Sequence, residues 1–197
     1  MAKSQNELAF LRDLAVDGEW TQRFADLVDK HLDLTGSENL LYINAGTGGH
    51  ALAICEKFGE KTNIFATCEN EDILKIARDK AAALRSDVDF SCVRFEDDAF
   101  DAVLADASLV RFARTEEFID NVVRVATAIE VFEYENGAEF IASPLVADFL
   151  LPLWTEMLDE NEKEQIPEKL AQLIDVEDAG LSFRFSVKAT LQTGEKA

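Results

Sequence analysis

The chain has 197 residues, 48% hydrophobic and 29% charged, which suits one globular α/β domain with a sizeable core and excludes wholesale disorder. Its 39 acidic against 19 basic side chains give a formal charge of -20, so a phosphate backbone would be repelled over most of the surface and nucleic acid is excluded as the expected partner. Cys55, Cys68 and Cys92 lack any CxxC spacing and suggest neither a disulfide framework nor a zinc knuckle; with no apolar segment of membrane-spanning length, they point to a cytoplasmic protein with no membrane partner.

Leu8, Leu11, Leu14, Trp20, Phe24, Leu27 and Leu32 recur at mostly three- and four-residue intervals and predict one or two leading helices within 6–34. After the turn Thr35-Gly36-Ser37, the short apolar run Leu40-Leu41-Tyr42-Ile43 predicts a first strand buried on both faces. A glycine-rich turn follows, and then a helical stripe of Ala51, Leu52, Ile54, Cys55 and Phe58 that stops at Gly59. The pattern continues with strands at 64–68, 88–93 and 100–105, a helix at 72–84 and a long helix at 114–131.

The turn Glu135-Asn136-Gly137 then introduces an expected fifth strand at 138–142. Pro144, Pro152 and Pro167 divide the following region into helices at 149–158 and 168–174, joined by an acidic solvated connector at 159–164. From Leu181 to Leu191, Phe183, Phe185, Val187 and Ala189 alternate with Ser182, Arg184, Ser186, Lys188 and Thr190, the clearest strand in the chain and one suited to a sheet edge. The expected fold is α/β, a three-layer Rossmann-like sandwich with a mostly parallel central sheet and an edge C-terminal strand. One domain over 1–197 is expected, with leading helices at 1–34, a nucleotide-binding core at 38–145 and C-terminal helices and last strand at 146–197.

The chemistry is carried by Asn44-Ala45-Gly46-Thr47-Gly48-Gly49, between a strand and a helix. Glycines there let the polar groups of a ligand approach the backbone, and the loop after the first parallel strand lies where such sheets place their ligands. With its flanks, Leu41 to Ala51 resembles the first motif of class I S-adenosylmethionine (SAM) dependent methyltransferases. Ile64 to Arg78 is similar to that family's second strand and following helix, and Phe100 to Ala105 to its fourth strand.

The resemblance implies a loop that wraps the methionine part of SAM, Asn44, Ala45, Gly46, Thr47 and Gly48, with Glu69 and the adjoining Asn70 at the ribose. A carboxylate accepts two hydrogen bonds from a vicinal diol, which gives the ribose assignment its physical sense. Three positions depart from the pattern. Tyr42 stands where the family has an acid, Asn44 stands at its first glycine, and Cys68 occupies the usual ribose-binding position when the helices are aligned. The connection between Val88 and Phe100 is also short, leaving Asp97 and Asp98 as candidates near the adenine only by proximity.

Methyl transfer is an in-line displacement with few obligatory protein groups. Asp106, directly after the fourth strand, is the best-placed carboxylate to orient or deprotonate a substrate, with Ser108 beside it. His31 and His50 are too far apart in sequence to suggest a metal pair, and no metal is expected. The leading expectation is a SAM-dependent methyltransferase acting on a small molecule or protein side chain. One alternative is a catalytically inactive protein of that fold, dimerising through its final strand; another is an NAD-dependent oxidoreductase, since Gly46 to Ala51 also fits GxGxxA.

Overall fold

The structure, a computed structural model, describes residues 3–32, 34–36, 38–58, 62–92, 100–105, 122–177 and 182–194. Two compact units divide the chain, Met1–Thr127 with Thr190–Ala197, and Ala128–Ala189.

In the first unit the leading helix runs through three geometries: α1 (Gln5–Leu11), a π-helical stretch (Arg12–Thr21) and α2 (Gln22–Asp29). Ser4 starts it with a capping box, its hydroxyl accepting from Glu7 N at 3.3 Å while the Glu7 carboxylate accepts from Ser4 N at 2.7 Å. The π-helical winding changes which residues face inward, because its ladder closes over five residues instead of four. Leu14, expected inside, is 59% exposed, whereas Arg12 and Val16 are buried.

Four parallel strands follow, β1 (Asn39–Ile43), β2 (Asn63–Thr67), β3 (Asp89–Ser91) and β4 (Ala102–Ala105), in the order β3-β2-β1-β4. All four strands expected between residues 40 and 105 are present, with no end shifted by more than two residues. Helix α3 (Gly49–Phe58) joins β1 to β2 and α4 (Glu71–Leu84) joins β2 to β3. Leu40, Ile64, Ala66, Ile54, Leu74, Ala77 and Phe90 form the core of this unit. Full burial of each large aliphatic or aromatic side chain contributes about 1.5–3 kcal/mol, which outweighs the weak propensity of such short strands.

Chain order reverses between β1 and β4, so the crevice outside the carboxyl ends of these strands is the topological switch point. Helix α4 is tied to the sheet there by Arg78, whose Nε and Nη2 donate to Phe90 O at 3.0 and 2.8 Å.

Past residue 105 three sequence expectations need correction. The long helix expected at 114–131 is a strand where it is described, β5 (Val122–Tyr134), a stretch rich in β-branched residues. The strand expected at 138–142 is helix α5 (Gly137–Ala142), capped by Asn136, whose side chain accepts from Glu139 N at 2.8 Å. The acidic connector expected at 159–164 is the first turn of α7 (Glu160–Glu177), because Asp159 and Glu162 form a reciprocal cap; Pro167 lies inside this helix and does not end it.

Between α5 and α7 run a π-helical stretch (Leu145–Leu150) and the short α6 (Leu151–Trp154). The final strand, β6 (Phe183–Gly194), is present as its alternation predicts, but it pairs with β5 in a two-stranded sheet separate from the parallel one. Phe140 is the hub of the second unit, with ring centroids 4.9 Å from Phe183 and 5.1 Å from both Phe185 and Tyr134. No described helix in either unit is long and apolar enough to cross a membrane.

Candidate functional site

The glycine loop leaves β1 at its carboxyl end with three residues at positive φ, Asn44 at 59°, Gly46 at 56° and Gly48 at 84°. Asn is the side chain that best tolerates this left-handed backbone after glycine, so Asn44 keeps the turn that the resemblance assigns to a glycine. The loop is fastened to the end of β2, with Ala45 N donating to Thr67 O at 2.9 Å and Asn44 N to Thr67 Oγ1 at 3.0 Å. Glu69 and Asn70 follow β2 directly, so the seven residues expected to hold a cofactor converge at the ends of two neighbouring strands.

The two loop glycines are required for different reasons. A Cβ at Gly48 would stand 2.6 Å from the Phe90 ring and 3.2 Å from Ala77, so this glycine serves the packing of α4 and β3. A Cβ at Gly46 would stand 2.5 Å from Asp17 Oδ2, which comes from the leading helix. That carboxylate accepts from Thr47 N at 2.6 Å, and Thr47 Oγ1 donates to Asp13 Oδ1 at 2.6 Å. Lys80 of α4 completes this corner, pairing with Asp13 and donating to Thr47 Oγ1 at 3.1 Å.

Arg12 connects the loop to Glu69. Its Nη1 donates to both Glu69 oxygens, at 2.6 and 2.5 Å, and its Nε lies 3.5 Å from Asp17 Oδ1. The Arg12 and Asp17 side chains are 8% and 9% exposed, and that of Glu69 is 28% exposed, so Glu69 is the member that solvent still reaches. Sequence reasoning missed Arg12, Asp13, Asp17 and Lys80. The available signal was Arg12 itself, a charge four residues after Leu8 and four before Val16 on what otherwise reads as an apolar stripe.

Tyr42, in place of the family acid, is buried and turned toward α3. Its hydroxyl lies 3.0 Å from His50 Nδ1, and His50 Nε2 lies 3.2 Å from Asp29 Oδ1. The carboxylate can only accept, so Nε2 carries the proton and, in the neutral ring, Nδ1 accepts the tyrosine O–H. This chain ties β1 and α3 to α2. Cys68 is buried beneath Glu69, and burial, then Cys92, then Glu69 push its thiol up to about 12. A thiol held protonated in this way is a small apolar side chain without nucleophilic character at neutral pH.

Asn70 caps α4, its Oδ1 accepting from Asp72 N and Ile73 N at 3.1 and 3.0 Å, which leaves its amide N–H groups as the part that can meet a ligand. Asp97, Asp98, Asp106 and Ser108 lie outside the described residues. The carboxylate of Glu69 fits a ribose diol, and the positive-φ loop gives a ligand access to backbone groups. The two carboxylates at the loop, Asp13 and Asp17, are each paired with a cation, Lys80 and Arg12 respectively.

Comparison with known proteins bears on the same segment. Residues 41–128 match the family model for the methyltransferase domain. No curated protein matches the chain in sequence. Phospholethanolamine N-methyltransferase 2 of Haemonchus contortus, solved with phosphomonomethylethanolamine and S-adenosylhomocysteine, aligns over 97% of this chain and 58% of that one, at 11% identity and TM-score 0.50. A SAM-dependent methyltransferase from Thiobacillus denitrificans, in complex with S-adenosylhomocysteine, aligns over 98% of this chain and 100% of that one, at 12% identity and TM-score 0.49. A protein-L-isoaspartate O-methyltransferase aligns over 43% of this chain at 22% identity and TM-score 0.39, and this chain spans only 28% of its length. At 11% identity and a TM-score of 0.50, the likeness to the first of these is one of fold.

Proposed function

We propose that the chain is a methyltransferase of the class I SAM-dependent superfamily acting on a small molecule or a protein side chain, a reading supported by the match of residues 41–128 to the family model for the methyltransferase domain. The observation that carries this reading is the strained glycine loop at the switch point with Glu69 beside it. Asn44 to Gly48 hold the amino-acid end of SAM, and Glu69 with Asn70 holds the ribose.

When bound, SAM supplies an electrophilic methyl group on a sulfonium. The chain's own task is to hold that group in line with the acceptor and to receive the acceptor's proton where it has one. Asp106, with Ser108 beside it, is the carboxylate proposed for orienting or deprotonating the acceptor. A chain of charge -20 favours an acceptor that is neutral or cationic over a polyanion such as nucleic acid.

The nicotinamide reading is separated from this one by experiment. Calorimetric titration with SAM, S-adenosylhomocysteine and NAD in parallel tests the proposal. Saturable binding of the first two without NAD is expected, and saturable NAD binding alone would overturn it.

A second reading is favoured by one observation. Arg12 already pairs with both oxygens of Glu69, and the loop is already engaged by Asp17. A catalytically inactive protein of this fold, serving as a dimerising interaction module, would carry such a self-satisfied site. Failure of both SAM and S-adenosylhomocysteine to bind, together with a dimer mass by analytical ultracentrifugation, would select it.

A further inference from the structure

The contacts made by the leading helix reach beyond support of the loop. Asp17 fills the space that the missing side chain of Gly46 opens, and it takes the Thr47 N–H that a ligand's anionic group would meet. Arg12 takes both oxygens of Glu69, the carboxylate assigned to the ribose. Both side chains are at least nine-tenths buried, and because Thr47 has a single N–H, a ligand that uses this loop donor must displace Asp17.

We infer that the π-helical stretch Arg12–Thr21 is a latch over the glycine loop, and that binding of the nucleoside cofactor exchanges the Asp17–Thr47 contact for a contact with the ligand. This rests on the reading that the loop and Glu69 form the cofactor site.

The helix type supplies the means of release. A π-helical run of ten residues is unusual, since such geometry is ordinarily confined to a single turn, frequently at functional sites. Gly18 sits in the stretch where a Cβ would stand 2.9 Å from Asp13 O, so the winding is fitted to a residue without a side chain. Val16 is fully buried and keeps the stretch attached to the unit. A return to α-helical winding about Val16 turns Arg12, Asp13 and Asp17 relative to the loop without detaching the leading helix. Lys80 remains beside Thr47 to compensate whichever carboxylate stays.

The test combines two readouts on the full chain, with S-adenosylhomocysteine as the probe. Hydrogen exchange of residues 12–21 is followed with and without saturating probe, and affinity is measured by calorimetry for the unaltered protein, Asp17→Ala and Asp17→Asn. Asp17→Asn keeps the side-chain shape, so the test survives if Asp17→Ala fails to fold.

A latch requires faster exchange across 12–21 when the probe binds, and at least about tenfold tighter binding by the variants, about 1.4 kcal/mol. Slower exchange in that stretch, or unchanged or weaker binding by the variants, overturns the latch while the methyltransferase reading stands, because Asp17 is then a support or a ligand contact. If neither the unaltered chain nor the variants bind the probe at millimolar concentration, the cofactor reading falls and the latch falls with it.

Discussion

The unit Met1–Thr127 and the unit Ala128–Ala189 are cohesive for different reasons. In the first, short strands are interleaved with helices, and Leu40, Ala51 and Ala66 lose essentially all contact with solvent. In the second, a single ring, Phe140, gathers Tyr134, Phe183 and Phe185, and two helices meet where a glycine lets them. A distributed aliphatic core tolerates the loss of any one side chain better than a core with one hub, so the two units differ in how localised their weak points are.

The largest expected effect of a single change is therefore at the hub. Phe140→Ala removes three ring contacts and opens a cavity, with an expected loss of about 3–5 kcal/mol. Hydrogen exchange read separately in α5 with α7 and in α3 with α4 should show the loss in the first pair. Equal loss in both pairs would break the contrast between a hub and a distributed core.

The next effect lies in the first unit and separates two adjacent glycines. Gly48→Ala forces a side chain into positive φ and against Phe90, an expected loss of roughly 2–4 kcal/mol. Gly49→Ala meets nothing within 4 Å and should be neutral or slightly stabilising at the start of α3. In the second unit, Gly137→Ala drives a Cβ into the Ala171 backbone and toward Ile174, and should remove about 1–3 kcal/mol. Urea unfolding midpoints rank the three, and a Gly49→Ala protein as unstable as Gly48→Ala would contradict the packing role given to Gly48.

The same contrast governs what could be read before the structure. Continuous apolar runs such as Leu40 to Ile43 mark buried parallel strands, and the turn after them is marked by its glycines, so the sheet and the loop were both legible. Past residue 121 local signals compete. Val122, Val125 and Ile129 fit a helical spacing, yet the density of β-branched residues from Val122 to Val131 favours the strand that forms. Asn136-Gly137 reads as a hairpin turn but serves as a helix cap followed by a close helix contact, which depends on Ala171, distant in sequence.

The candidate site divides in the same manner. The loop residues and Glu69 are local to their motifs, whereas Arg12, Asp13 and Asp17 arrive from the leading helix, from a stretch whose winding is π rather than α. No three- or four-residue period encodes that winding.

The smallest expected effect at neutral pH concerns Cys68, and it again separates the units, since all three cysteines lie before residue 127. Burial first, then Cys92 and Glu69, raise its thiol from 9.0 to about 12. The raised value means that the folded state binds this proton more tightly than the unfolded chain does. Stability from Cys68 is therefore fully present below pH 9 and is lost as pH rises from about 9 toward 12. Unfolding of the parent protein and of Cys68→Ala, followed from pH 7 to 11, should show a steeper alkaline decline in the parent, and parallel curves would refute the assignment. At pH 8 a small alkylating reagent should modify the exposed Cys92 well before the buried Cys68, because reactivity requires both thiolate and access. Mass spectrometry of peptides from partly modified protein reads that order directly, and early labelling of Cys68 would mean that the end of β2 beneath Glu69 opens more readily than its burial implies.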